Sequence, residues 1–417
     1  MGSKFKRAKY ACYATNLTMS IVGNLSPLLF LTFRELYDIS FSLLGLLVLV
    51  NFTTQLLVDL AFSFFSHKFN IPLAVKLTPA IAVVGLIIYA LCPFIFRDNI
   101  YLGLVIGTMI FSSASGLAEV LISPVVAAIP SDNPEREMSK LHAVYAWGVV
   151  GVVIFATVFL LAFGHGNWQW LAVVFALVPF FAFMLFWGAE IPEMKKPEKL
   201  SGTLGFLREK GLWLCVFGIF LGGAAECTMA QWASGYLEAA LGIPKVWGDI
   251  FGVAMFAAML GLGRSLYGKF GRNVSKVLLW CAVGAAGCYF VAAISPYPAF
   301  GLISCGLCGL CTSMLWPGNL VYASEKFSSG GVVLYALMAA GGDLGASVSP
   351  QLVGIITDIA IENSALISFA EKVGLTSEQL GIKLGMLVGM VFPLVAIPIY
   401  ASFVRNSKKR TTYSKEI

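Results

Sequence analysis

Apolar residues dominate this chain in long runs broken by short polar stretches, and the length of those runs sets the expected secondary structure. Runs near 10–32, 41–65, 72–95, 99–128, 141–163, 168–189, 212–238, 247–267, 275–296, 299–323, 331–360 and 380–404 each reach the ~20 residues with which a helix crosses a bilayer. In hydrocarbon every backbone N–H and C=O must be satisfied within the segment, so runs of this length are helices. The pattern predicts an all-α integral membrane protein with twelve transmembrane helices. Polar residues inside the runs are few, and they hold the candidate chemistry.

Composition agrees and removes alternatives. A chain of 417 residues that is 58% hydrophobic and 12% charged has no spare length for a large soluble domain beside twelve spans. The formal net charge of +6 would suggest a nucleic-acid partner in a soluble protein. Here most basic residues lie in the two tails and in alternate loops, led by Lys4, Lys6, Arg7, Lys9 and by Arg405, Lys408, Lys409, Arg410. The opposite loops hold only Arg34, Arg97, Lys245 and Lys372. That bias places both termini in the cytoplasm and gives a multi-pass protein of the plasma membrane. Short tails and lean loops favour a bacterial inner membrane. A basic start before an apolar run also fits a signal peptide, but this run is a full span long, contains Pro27 and lacks a small-residue cleavage site, so it reads as the first helix.

The nine cysteines are scattered mostly within spans and predict no disulfide framework. Cys305, Cys308 and Cys311, interleaved with Gly306 and Gly309, read as small residues at a close helix contact, and no metal site is expected. No Walker sequence, nucleotide-binding glycine loop or His-Glu-x-x-His occurs, so the expectation is no enzyme, no cofactor and no nucleic-acid partner.

The polar stretch around 191–211, with Pro192, Lys195, Lys196, Pro197, Glu198 and Lys199, reads as a cytoplasmic linker between residues 1–190 and 212–417. The two halves repeat weakly. Gly116-Leu117 and Pro124 recur as Gly309-Leu310 and Pro317, Gly148 falls on Gly341 at the same offset, and Lys68-Phe69 parallels Lys269-Phe270. Two pseudo-symmetric six-helix bundles with a site at their interface are a common plan for secondary transporters.

On these residues the chain resembles the major facilitator superfamily over nearly its whole length. The family's loop signature Asp-Arg-x-Gly-Arg has a counterpart in Gly268-Lys269-Phe270-Gly271-Arg272, without the acid, and a weaker one in His67-Lys68-Phe69-Asn70. A narrower resemblance, to the fucose permease branch of sugar/proton symporters, rests on Gly116, Glu119, Pro124, Gly263-Arg264, Pro317, Gly341-Gly342 and Pro350. That resemblance implies a role in proton and sugar handling for the acid at Glu119. The acid which the branch carries in its first helix is absent here, its place falling near Gly23 beside Asn24. The family also implies that helices 1, 4, 7 and 10 line a central cavity.

Intramembrane acids are the sharpest signal, because a charged carboxylate at the bilayer centre costs about 2.5 kcal/mol or more and such residues mark ion or substrate paths. Glu119, Glu226 and Asp343 stand well inside spans. Glu119 is about 14 Å from the inner end of its helix at 1.5 Å per residue, on a stripe with Ser112, Ser115 and Ser123. Glu119 and Glu226 are the candidate proton-coupling residues. On a straight helix Gln231 and Trp232 are turned by about 140° and 240° from Glu226, so a bend near Gly222, Gly223 or Gly235 is needed to bring all three to one surface. Arg264 and Asp343 are candidates for a gate or ion pair, with snorkelling as the other reading of Arg264. Lys76 and Lys383, near span ends, read as snorkelling. His142 and Tyr145 complete the gating candidates.

Substrate contacts are expected from two polar stripes, Asn16, Ser20 and Asn24 in the first helix and Thr312, Trp316 and Asn319 in the tenth, joined by Gln231 and Trp232. Amides hydrogen-bond hydroxyls and an indole packs on the apolar face of a sugar ring. The expectation is a monomeric secondary active transporter that imports a sugar or similar small polar solute with protons by alternating access, with sodium left open as the coupling ion. A proton- or sodium-coupled exporter of amphipathic compounds, and a transporter-like sensor without turnover, remain as alternatives.

Overall fold

A computed structural model describes residues 4–65, 68–131, 134–193, 208–270, 273–327 and 331–413. Among the described residues the chain is helical, with no strand. Among the described residues eleven helices are long and apolar enough to cross a membrane, and twelve if one bent pair counts as a single span. That pair is α1 (Lys6–Leu28) and α2 (Phe30–Tyr37), bent by 45°. Pro27 is the cause: it has no N–H to give the carbonyl of Gly23 and its ring crowds that carbonyl. Leu29 then closes the helix through a tighter bond from its N–H to Ser26 O at 3.0 Å. The expected run 10–32 is thus two helices.

The remaining elements are α3 (Phe41–Phe65), α4 (Ile71–Ile95), α5 (Ile100–Ala128), α6 (Pro134–Phe163), α7 (Trp168–Trp187), α8 (Lys210–Gly235), α9 (Lys245–Gly248), α10 (Met255–Phe270), α11 (Val274–Ile294), α12 (Pro298–Thr312), α13 (Pro317–Lys326), α14 (Gly331–Glu362), α15 (Ser364–Lys372) and α16 (Ser377–Tyr413). Asparagine starts four of them. The side chains of Asn70, Asn99, Asn273 and Asn363 accept from backbone N–H groups of the first turns of α4, α5, α11 and α15, satisfying donors that the helix leaves unpaired. α8 continues into a π-helical turn, Tyr236–Ala240, and a second one, Asp249–Ala254, joins α9 to α10. The expected run 299–323 is also interrupted, because Pro317 splits it into α12 and α13.

The chain divides into two compact units, Met1–Ile39 with Val50–Lys199, and Ser40–Leu49 with Leu200–Ile417. The first unit centres on a knot of rings: Trp168 packs edge-on against Phe33 at 4.9 Å and Tyr89 at 5.8 Å, and its indole N–H donates to Tyr37 Oη at 3.0 Å. Without a hydrophobic drive between helices in lipid, close packing has to supply cohesion. α4 and α5 achieve it through glycine: a Cβ at Gly107 would fall 2.8 Å from Tyr89 Cβ. In the second unit the core runs through Leu212, Ile219, Leu278, Leu315, Met338, Tyr400 and Phe403. The first turns of α3 pack there too. The Asp358 carboxylate accepts from Phe41 N at 3.0 Å, from Ser42 N at 2.6 Å and from the Ser42 hydroxyl, covering the unpaired donors of the helix start.

Candidate functional site

In the first unit α3 and α5 meet along matched polar stripes. Ser112 Oγ donates to Asn51 Oδ1 at 2.5 Å, and Gln55 Nε2 donates to Glu119 Oε2 at 2.8 Å. The Asp59 carboxylate lies against Gly116, where a Cβ would stand 2.8 Å from Asp59 Oδ1. Glu119 is exposed at the surface of the unit while Ser112 and Ser115 are buried behind it. The carboxyl is therefore accessible and is oriented by the Gln55 amide. Asn51, Gln55 and Asp59 are absent from the expectations above, although their i, i+4, i+8 spacing inside the run 41–65 is a signal of one helix face.

In the second unit the decisive local event is Pro317. It cannot donate to the carbonyl four residues back and its ring displaces that carbonyl from the helix ladder. That residue is Ser313, and its freed oxygen accepts from Arg264 Nε at 3.1 Å. The same guanidinium places its outer nitrogen 3.1 Å from Glu226 Oε1 and 3.4 Å from Oε2. Proline, arginine and acid come from α13, α10 and α8, so the broken helix aims the arginine that holds the acid. Glu226 is 15% exposed and Arg264 41%, so neither side of the pair is fully buried. Cys227 sits within the electrostatic reach of Glu226, Arg264 and Asp343. At the same break the Trp316 ring covers Gly342 and Gly223, where Cβ atoms would fall 2.5 Å and 3.1 Å from ring carbons.

The other candidate residues are placed as follows. Of the gate or ion-pair candidates, Arg264 pairs with Glu226 and is held by Ser313, and Asp343 is buried on α14 beside Gly342. Asn16 donates to Leu141 O at 2.6 Å and Ser20 to Tyr145 O at 2.9 Å, so the first-helix stripe lies in the α1–α6 seam, and Asn24 donates back to Ser20 O. Tyr145 is 38% exposed, with its hydroxyl 4.0 Å from a Cβ position at Gly23. The His142 side chain lies outside the described residues. Trp232 is 1% exposed, its N–H bonded to Pro350 O at 2.9 Å, and Gln231 is buried beside it. Thr312 donates to Cys308 O, and Asn319 donates to Leu315 O and Tyr400 Oη with no solvent exposure. Lys383 does not snorkel: it is 7% exposed and donates to Ser295 O at 2.6 Å.

A separate charged cluster lies where α6 begins, outside the apolar part of that helix. Glu137 pairs with Lys9 and, at 2.8 Å, with Lys140, and accepts from Tyr13 Oη at 3.1 Å. The hydrogen bonds from Lys140 and Lys9 hold its carboxyl down at about 2. It borders a cavity of about 90 Å³ lined by Phe5, Lys9, Val126, Ile129, Pro130 and Ser131.

The sequence matches the family model of the Major Facilitator Superfamily over residues 11–350. The chain belongs to this superfamily. No curated protein matches the sequence. Among solved structures it is similar to a bacterial homologue of the human lysosomal transporter Spinster, inward-facing and occupied, with TM-score 0.72 and 13% identity over 97% of this chain and 98% of that one. A D-xylose-proton symporter follows with TM-score 0.71 and 14% identity, covering 94% and 97%. The nucleoside transporter NupG has TM-score 0.66 and 12% identity, covering 97% and 99%. At these identities the shared property is the fold. Superfamily membership makes the protein a multi-pass membrane transporter of small molecules rather than an enzyme.

Proposed function

We propose that this superfamily member is a proton-coupled importer of a sugar or similar small hydroxylated solute, close in type to the fucose permease branch, working by alternating access between halves spanning residues 1–190 and 212–417 in a bacterial inner membrane. The observation that carries the reading is the Gln55–Glu119 pair: an accessible intramembrane carboxyl whose one amide partner orients it without neutralising it. A group of that kind gains and loses a proton as its access to water changes. Glu226, held by Arg264, is the second coupling acid. A hydroxylated solute can compete for the same guanidinium and carboxylate, and the partly exposed Trp316 offers an indole for a ring face. Asn16, Asn24, Thr312 and Asn319, engaged in packing, are left out of the proposed contacts. The similarity to the D-xylose-proton symporter agrees with this reading at the level of fold.

The test is uptake and current in proteoliposomes challenged with monosaccharides, amino sugars and carboxylates under a pH gradient without sodium. A sugar-evoked inward positive current in the wild type that is absent in Glu119→Gln is the expected result. Current that requires sodium, or that only lipophilic cations evoke, overturns it.

A further inference from the structure

The second unit carries five cysteines on two helices joined by Ser295–Tyr297: Cys281 and Cys288 on α11, and Cys305, Cys308 and Cys311 on α12. Two of them meet. The side chains of Cys288 and Cys311 stand within interaction reach of each other. The contact exists because Gly284, one turn before Cys288, leaves room for the sulfur: a Cβ there would stand 2.6 Å from Cys311 Sγ. Both cysteines of the pair are partly exposed, whereas Cys305 and Cys308 are buried. Both lie within apolar membrane-crossing helices, so reagents dissolved in the bilayer reach them more readily than those in water.

We propose that Cys288 and Cys311 are a redox pair that hydroperoxides, including the lipid hydroperoxides of the surrounding bilayer, close to a disulfide. One thiol attacks the terminal oxygen of ROOH; the O–O bond breaks, ROH leaves with the proton, and the sulfur becomes a sulfenic acid. The second thiol attacks that sulfur; the S–S bond forms, the S–OH bond breaks, and water leaves. Two thiols lose two electrons and one hydroperoxide gains them. The S–S bond is about 2.05 Å long, far shorter than any non-bonded S···S contact, so closure draws the end of α12 toward α11. Cys311 is two residues from Ser313, whose carbonyl holds Arg264. Oxidation therefore acts on the Arg264–Glu226 pair through the chain, and does so whether or not the solute is a sugar.

The experiment is non-reducing peptide mapping by mass spectrometry of the full-length protein in detergent, after cumene hydroperoxide and alkylation of remaining thiols. A linked Cys288–Cys311 peptide that dithiothreitol abolishes is expected in the wild type. In Cys311→Ser the link is absent and dimedone captures Cys288 as its sulfenic acid. Recovery of both residues as free alkylated thiols, as separate sulfinic acids, or in disulfides with other partners overturns the proposal. The wild-type map alone decides the matter if the serine variant does not fold.

Discussion

The Arg264–Glu226 pair gives the most exacting test of how a proline writes a polar site into a membrane helix. Arg264 makes two kinds of contact, one to a neutral carbonyl through Nε and one to both carboxylate oxygens through its outer nitrogen. Hydrogen bonds to charged groups contribute about 1.5–3 kcal/mol when buried. With Arg264 41% and Glu226 15% exposed, solvent screening reduces the pair to about 1–2 kcal/mol. In a cycle of Glu226→Ala, Arg264→Ala and the double variant, the single losses should exceed additivity by that amount. Thermal unfolding in detergent reads it, at about 2–4 °C per kcal/mol for a body of this size. Arg264→Lys should recover less than half the coupling, because one ammonium cannot span Ser313 O and Glu226 together. Coupling below about 0.5 kcal/mol, or full rescue by lysine, refutes the reasoning.

Three further outcomes are expected. Pro317→Ala restores a donor to Ser313 O and joins α12 to α13; the protein should fold with unchanged or higher Tm yet lose solute flux at least about tenfold, the factor that corresponds to 1.4 kcal/mol, as measured in proteoliposomes. Glu137→Gln should lower stability by about 1 kcal/mol at pH 5–8. Because the folded carboxyl is depressed to about 2, its contribution is present above the unfolded value of about 4.3 and fades as pH falls towards 2; melts of wild type and variant should converge there and not near neutrality. Gly107→Val drives a branched side chain into Tyr89 on α4 and should cost about 1–3 kcal/mol by overpacking, read as a lower Tm without change in the ion selectivity of any remaining flux.

Run length, proline and asparagine make most of the helix boundaries legible in the amino-acid sequence. Apolar runs cannot be anything but helices in lipid, and the positions of Pro27 and Pro317 mark the breaks at Leu29 and after Thr312. The apolar pattern nonetheless carries each of those runs through as a continuous span, since a proline within it is compatible with a kink or a full stop. Acids inside spans are also legible one helix at a time, which is why Glu119 and Glu226 stand out. Asp59 and Gln55, on an equally regular stripe of α3, escape the same reading because α3 extends to the end of its run and Asp59 passes there for a helix-end acid.

Partners are a different matter. That Arg264 answers Glu226, that Gln55 answers Glu119, and that Lys383 turns inward to Ser295 O all depend on which helices adjoin and at what height. A polar stripe on one helix looks the same whether it faces a solute or a neighbouring backbone, and the Asn16–Ser20 stripe faces α6. The sequence determined the membrane-spanning helices, because those follow from local chain chemistry and the bilayer as solvent, whereas which prolines break a helix was decided by the structure. The tertiary structure alone decided which polar groups are consumed by packing and which stay accessible, because these hydrogen bonds between helices join residues 38 to 125 positions apart, which no local pattern encodes.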